Sequence, residues 1–311
     1  TYDAMGFLKS KAWRVKGGEY VFAYDRHPNG SLQAVHYPQG ETVTYLYGTA
    51  GLVTSLDVSS PHWKDAVTLD FSNFLPDDSP GTVMMMGYEI ERELDSWGRD
   101  THLALTRDSD KSPLEVVKYA WDATGNLVAM RRDKDIQTYY YDSLARLVKY
   151  SGTLSGTFSY DPNGNVTKNE YGTFVMEQKT NRIDTINYGN DDLKAHYDEA
   201  GRMTFDGEVT YTYNVMGRLA KTENKGETHT FGYFNGKRLF SDGTLYLDEG
   251  YEVTPEGAQI RVGSGQATYL LAKSSEALLV FPDRLNNWLT LVNDKSRESW
   301  VYRPYGDSQE K

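Results

Sequence analysis

The 311-residue chain has no cysteine, which removes disulfides and thiolate metal ligands from consideration. Compartment stays open, because an exported protein with a large core needs no such staple. Positive charge is also in deficit: 33 Lys and Arg stand against 44 Asp and Glu, a formal net charge of −11. Nucleic acid and anionic membranes both attract basic surfaces, so neither is expected as the main partner. No apolar run approaches the ~20 residues that cross a bilayer, and no membrane insertion is expected. No stretch carries the 3.6-residue apolar spacing of an amphipathic helix. Tryptophan is sparse, at six residues. Thr1 opens directly in repeat-like sequence without a basic-then-apolar leader, so any export signal is expected outside this chain, which reads as a fragment.

What is abundant is tyrosine (24) and glycine (28), with 13% aromatic residues, a balance that favours strands and turns. Their arrangement is repetitive. Tyr197-Asp198-Glu199-Ala200-Gly201-Arg202-Met203 is followed by Tyr213-Asn214-Val215-Met216-Gly217-Arg218-Leu219. Each copy reads as a strand end, a tight turn and the next strand. Gly supplies the positive φ of such a turn, and Asp or Asn offers an oxygen to the N–H groups beyond it. Tyr and Leu should share the buried face, and the Arg between them should point the other way, because neighbours on a strand face opposite sides.

The phrase recurs along the chain: Tyr2-Asp3 with Gly6, Tyr24-Asp25 with a longer turn to Gly30, Tyr47 to Leu52, and the weaker Leu94-Asp95 with Arg99. It continues as Trp121-Asp122 with Gly125, Tyr141-Asp142 with Arg146, and Tyr160-Asp161 with Gly164. In the copy that begins at Tyr141, Ala145 stands where the others have Gly. A spacing of about twenty residues holds two strands and two turns, so one repeat is one hairpin. The segments between read as strands, such as Glu41–Tyr47 and Glu208–Tyr213. Two regions depart from the pattern. Residues 57–88 carry loop signals (Ser59-Ser60-Pro61; Pro76 to Gly81) and read as a longer hairpin or decorated repeat, while 179–190 reads as a loose connection. Met84 to Met86 read as core filler.

Chemical sites are not expected. His27, His36, His62, His102, His196 and His229 show no His-x-x-x-His or His-Glu pairing. Asp108-Ser109-Asp110-Lys111-Ser112 is followed by Pro113 where a calcium loop needs its turn Gly. Gly263-Ser264-Gly265 lacks the third Gly of a phosphate cradle and reads as a hairpin turn. The Asn29 and Asn165 sequons are glycosylation sites only in a protein secreted by a eukaryote, and otherwise turn residues. No catalytic residue, metal ligand or cofactor is assigned, and the motif residues named above are assigned a structural turn role.

Tyr-Asp-x-x-Gly-Arg-Leu at this spacing resembles the YD repeat of bacterial Rhs proteins, toxin-complex cocoon subunits and teneurins, over nearly the whole chain. Tyr246 to Val253, then Arg261 to Gly265, resemble the segment leading into the Rhs core. Asp283-Arg284-Leu285-Asn286-Asn287 and Tyr302-Arg303-Pro304-Tyr305-Gly306-Asp307 resemble divergent forms of that family's Asp-His-Leu-Gly-Ser and Tyr-Asp-Pro-Tyr-Gly-Glu. The resemblance implies an all-β fold of consecutive antiparallel hairpins, side by side in a curved or spiral sheet that can form part of a hollow shell. It divides the chain into a YD-repeat array (1–239) and core-proximal hairpins (240–311). The implied work is structural: enclosing and chaperoning a C-terminal toxin that lies outside this chain, in a secreted or cell-surface bacterial protein. A secretion apparatus is a possible partner. Two alternatives stay open: an adhesion or carbohydrate-binding module with a surface glycan as partner, and, less favoured, a glycan-acting enzyme.

Overall fold

The computed structural model describes all residues except 190, 265, 266, 274, 294, 305–307 and 311, and all of their side chains except those of 249 and 308–310. The described chain is all-β, with strands from Ser10–Val15 to Ser308–Glu310 and one 3-10 turn at Asp248–Gly250. Strands fall into three sheets in which order in space follows order in sequence. Among the described residues the strand registers are antiparallel, as at Ser10–Val15 with Gly18–Arg26 and Tyr88–Leu94 with Asp100–Arg107.

Two kinds of turn recur. One is a two-residue turn with both residues at positive φ, as at Lys16-Gly17, Met86-Gly87, Lys225-Gly226, Asn235-Gly236 and Asp242-Gly243, whose twist matches that of the strands it joins. The other is wider and recurs with one hydrogen-bond pattern. In it the first residue's N–H donates to the carbonyl four residues on, and the fourth residue's N–H donates back to the first carbonyl. Asp3, His27, Tyr37, Gly48, Leu75, Asp95, Asp122, Asp142, Asp161, Asp198, Asn214 and Asp283 each begin such a turn. Its fourth residue has positive φ, as in Gly201 (78°) and Gly217 (77°), but also Ala145 (57°) and Asn286 (60°).

Residues 57–88 hold regular strands, Val67–Ser72 pairing with Val53–Ser59 and with Thr82–Met85. Of the three methionines only Met85 is buried; Met86 stands in the turn. The expected loose connection at 179–190 is corrected. Ile183–Tyr188 is a strand paired with Gly172–Met176 on one side and Asp191–Lys194 on the other, while residue 190 lies outside the described residues.

The chain forms two compact units: Thr1–Lys118 with Tyr246–Lys311, and Tyr119–Leu245. In the first, early strands bury one face and expose the other, as the alternation in Val67–Ser72 shows. Its late strands Ala267–Lys273, Ala277–Pro282 and Trp288–Val292 are nearly continuously buried, because they are covered on both sides. One face meets the early strands: Tyr251 packs edge-on against Phe22 at 5.6 Å, and Tyr269 lies 6.3 Å from Phe71. On the other, Leu271, Leu278, Val280 and Leu291 cluster beneath Trp288 and Trp300. In the second unit, the buried hydrophobics are Tyr119, Leu147, Tyr150, Phe158 and Leu245.

Candidate functional site

The recurring constellation is the wide turn itself, and its chemistry follows from the acid at its start. Asp142 Oδ1 accepts from the N–H groups of Leu144 (2.9 Å) and Arg146 (3.0 Å), and its Oδ2 accepts from Arg146 Nε at 2.8 Å. Asp198 treats Arg202 in the same way, through N (2.9 Å) and Nε (2.6 Å). Asp122 and Asp161 bind the side-chain amides of Asn126 (3.0 Å) and Asn165 (2.8 Å) instead. Asp3 holds the N–H groups of Met5 and Phe7, and Asn214 those of Met216 and Arg218. At Asp122, Asp142, Asp161 and Asp198 these donors favour the charged form. The Asn126 amide and backbone N–H bring Asp122 down to about 2. Asp142 and Asp198 are lowered chiefly by the backbone N–H of Arg146 and Arg202, and Asp161 chiefly by the Asn165 amide.

Each turn is also tied to the next. The motif tyrosine donates its hydroxyl to the carbonyl of the residue that opens the strand after the preceding turn: Tyr141 to Leu127 (2.9 Å), Tyr160 to Leu147 (2.8 Å), Tyr197 to Ile183 (3.0 Å) and Tyr213 to Met203 (2.8 Å). In the first unit Tyr47 bonds Leu32 at 2.8 Å and Tyr302 bonds Trp288 at 2.9 Å.

The motif arginine does not point away from the tyrosine face. Arg146 lies over the ring of Tyr160 at 4.5 Å, Arg202 over Tyr213 at 4.8 Å and Arg218 over Tyr233 at 5.3 Å. A register shift stands immediately before each of these tyrosines, between Ser159 and Tyr160, Thr212 and Tyr213, and Gly232 and Tyr233. Such a bulge breaks strict alternation and re-aims the following side chains.

Two motif positions differ from the sequence reading. Asp25 does not start a turn: His27 does, with Gly30 as its fourth residue, and Asp25 Oδ2 instead meets His36 Nε2 at 2.7 Å. Tyr2 is 71% exposed and reaches the fold through a single bridge to Leu8. The turn from Tyr37 to Glu41 escaped the sequence reading, and so did a variant one at Glu177. Glu177 replaces the Asp across one extra residue, its N–H donating to Arg182 O at 2.9 Å and its Oε2 accepting from Arg182 Nε at 3.2 Å. Arg182 then lies over Tyr197 at 5.1 Å. The signal was Asn181-Arg182-Ile183 standing fourteen residues before Tyr197.

Outside the turns, the buried Glu115 crosses between early and late strands of the first unit, its Oε2 accepting from Thr290 Oγ1 and from Arg297 Nη2 (3.1 Å). Trp13 Nε1 donates to Asp248 at 2.6 Å and Trp63 Nε1 to Lys273 O at 3.1 Å. The histidines are dispersed: His229 bonds Asp242 at 2.6 Å and His196 stacks on Phe205. In the 108–112 loop, Lys111 and Ser112 occupy the oxygens of Asp108 and Asp110. Gly263 and Ser264 are strand residues, while Gly265 lies outside the described residues, as do Tyr305, Gly306 and Asp307. Among the described residues no three His, Asp or Glu side chains gather as metal ligands would, and no helix is long and apolar enough to cross a membrane.

The folded chain is similar to parts of toxin-complex structures. It superimposes on a chain of the Photorhabdus luminescens Tc holotoxin pore with a mutated TccC3 (TM-score 0.74, 16% identity), covering 93% of this chain and 18% of that one. Against TcdB2-TccC3-Cdc42 the TM-score is 0.77 at 16% identity, over 94% of this chain and 18% of the other. Against TcdB2-TccC3-TEV it is 0.76 at 15% identity, over 99% and 20%. The chain therefore spans about a fifth of the length of these relatives in fold. No curated protein matches it. The family model described as Teneurin YD-shell matches residues 83–241, a stretch that contains the whole turn ladder of the second unit, and the chain belongs to that YD-repeat shell family.

Proposed function

We propose that the chain is a section of shell wall that encloses and chaperones a C-terminal toxin carried outside these residues, in a secreted bacterial protein. The observation that carries this reading is its likeness, over 93% of its length or more, to a fifth of chains whose solved assemblies include TccC3. Physics supports a wall: consecutive hairpins cover each other's edges, which a lone hairpin leaves open. In this reading residues 240–311 are the hairpins nearest the cargo, and the motif side chains hold turns rather than a ligand. The chain is not an enzyme, since a container needs no catalytic base. A second reading, cell-surface adhesion, rests on the teneurin description of the matching family model.

The test expresses the parent gene with its natural C-terminal domain and measures survival of the producing cell. Single replacements of exposed Asp, Glu or His should leave survival unchanged, whereas Gly217→Val or Tyr213→Ala should lower both stability and survival. An exposed carboxylate whose loss abolishes activity at unchanged stability would overturn the container and restore the enzyme. Survival independent of this region, with loss of cell binding on its deletion, would favour adhesion.

A further inference from the structure

The turn from Tyr37 to Glu41 differs from the others in what it hides. Tyr37 N–H donates to Glu41 O at 2.8 Å and Gly40 N–H to Tyr37 O at 3.0 Å, which holds the backbones of Tyr37 and Glu41 together across the turn. Glu41 is only 4% exposed. Tyr37 stacks on Tyr251, with centroids 5.9 Å apart and planes at 25°. Phe22 closes edge-on against both, at 5.8 and 5.6 Å. Tyr251, brought in from the late strands, is 0% exposed.

Two polar atoms in this aromatic enclosure have no partner among the protein's own groups: Glu41 Oε2 and Tyr251 Oη. Burial first, and then the neighbouring Glu41 charge, push the Tyr251 phenol well above its ordinary range. A carboxylate withdrawn from water without a counter-charge is costly, which is why buried charges are normally paired. The enclosure offers a carboxyl oxygen, a phenol lone pair and aromatic faces, the set that stabilises a cation. It does not suit Mg²⁺ or Ca²⁺, which demand six or more oxygen ligands.

We propose that Glu41, Tyr251 and the ring of Tyr37 form a site for one small monovalent cation of the potassium or ammonium kind. Thermal unfolding of the 311-residue chain, followed by circular dichroism in potassium, ammonium and choline chloride at equal ionic strength, tests this. Potassium or ammonium should raise Tm over choline by about 2 °C or more, because only the folded state holds the ion. The ion that acts at the lower concentration identifies the better ligand. Glu41→Gln should abolish the difference and Tyr251→Phe should reduce it. If Glu41→Gln does not fold, the Tyr251→Phe variant and the salt comparison on the unaltered chain decide. Equal Tm in all three salts overturns the proposal. So does an ion effect that survives both substitutions, or coupling between Glu41 and Tyr251 that is indifferent to the salt, which would mark a bridging water.

Discussion

The two units of one chain are held by different means. In the first, Phe22, Leu69, Leu105, Leu279 and Phe281 are wholly or almost wholly buried, and the late strands are covered on both faces. Each such side chain contributes about 1.5–3 kcal/mol through burial. The second unit has few comparable residues but four of the six tyrosine–carbonyl links, those of Tyr141, Tyr160, Tyr197 and Tyr213 against Tyr47 and Tyr302 in the first. There the links are tyrosine hydroxyls on carbonyls, arginines on acids and arginines on rings, each worth about 1 kcal/mol or less because the groups are partly exposed. The repeat is written most faithfully where the core is thin, and it decays where the core is thick. At Asp25 the first unit tolerates a motif acid that makes no turn at all. The lesson is that the Tyr-Asp-Gly-Arg phrase substitutes for hydrophobic packing.

The sharpest way to break this comparison is to remove core from the first unit. Phe281→Ala should cost about 3–5 kcal/mol, measured in denaturant melts. Amide exchange should show the loss spread over the strands flanking Ala277–Pro282, since buried side chains unfold as cooperative units. A cost below about 1 kcal/mol would mean that the late strands are not the stabilising centre.

Next in size is a turn glycine of the second unit. Gly201 has φ of 78° with open space around it, Arg182 Nη1 at 3.9 Å being the nearest atom a Cβ would meet. Gly201→Val should therefore cost about 1–2 kcal/mol through backbone strain alone. Its effect on exchange should stay local to Tyr197–Phe205 rather than spread.

Acid should separate the units further. Asp122, Asp142, Asp161, Asp184, Asp198, Asp206 and Asp242 of the second unit all have lowered folded-state values, against Asp77, Asp95, Asp110 and Glu256 in the larger first unit. A depressed carboxylate contributes stability above its unfolded value, near 3.8, that is lost as pH falls through the folded value, about 2 for Asp122. Between about pH 4 and pH 2 the second unit should thus open first. Exchange measured at pH 5 and pH 3 checks this, and equal sensitivity of both units would contradict it.

Deleting one hydroxyl compares the same bond in two settings. Tyr213→Phe and Tyr302→Phe each remove a hydrogen bond to a preceding carbonyl, at about 0.5–1.5 kcal/mol. Both should cost the same globally, yet only Tyr213→Phe should raise local exchange, because its neighbours lack core.

Much of this was legible in the primary structure, for a physical reason. The turns are local, their donors and acceptors lying within four residues, so Tyr-Asp-x-x-Gly-Arg-Leu shows them directly. What stayed hidden is of two kinds. The tyrosine under a motif arginine follows a bulge, and alternation cannot reveal an inserted residue. Likewise Glu177 escaped because one extra residue and a longer acid reproduce the Asp geometry under a different spelling. The rest is long-range: nothing local to Glu115 announces Thr290 and Arg297, nor does Phe22 announce Tyr251. Periodicity fixes neighbours in the ladder, but not which distant strands close over it.

The smallest effect is also the most discriminating, because it asks whether the ladder tolerates a flaw. Ala145 occupies the fourth turn position with φ of 57°, and its N–H still donates to Asp142 O at 3.0 Å. The turn therefore keeps the shape of its glycine counterparts while carrying a Cβ in the left-handed region, at about 1 kcal/mol. Ala145→Gly relieves that strain, although the freer unfolded chain gives back part of the gain. The net should be a stabilisation of up to about 1 kcal/mol in denaturant melts. It should appear as slower exchange at Leu144 and Arg146, whose N–H groups bind Asp142. In the first unit Asn286 holds the same position with φ of 60°, but its Oδ1 also accepts from Thr268 N at 3.1 Å. Asn286→Gly should accordingly lose that bond and destabilise. If both changes act with the same sign, turn strain is not what distinguishes a ladder rung from a core-supported one.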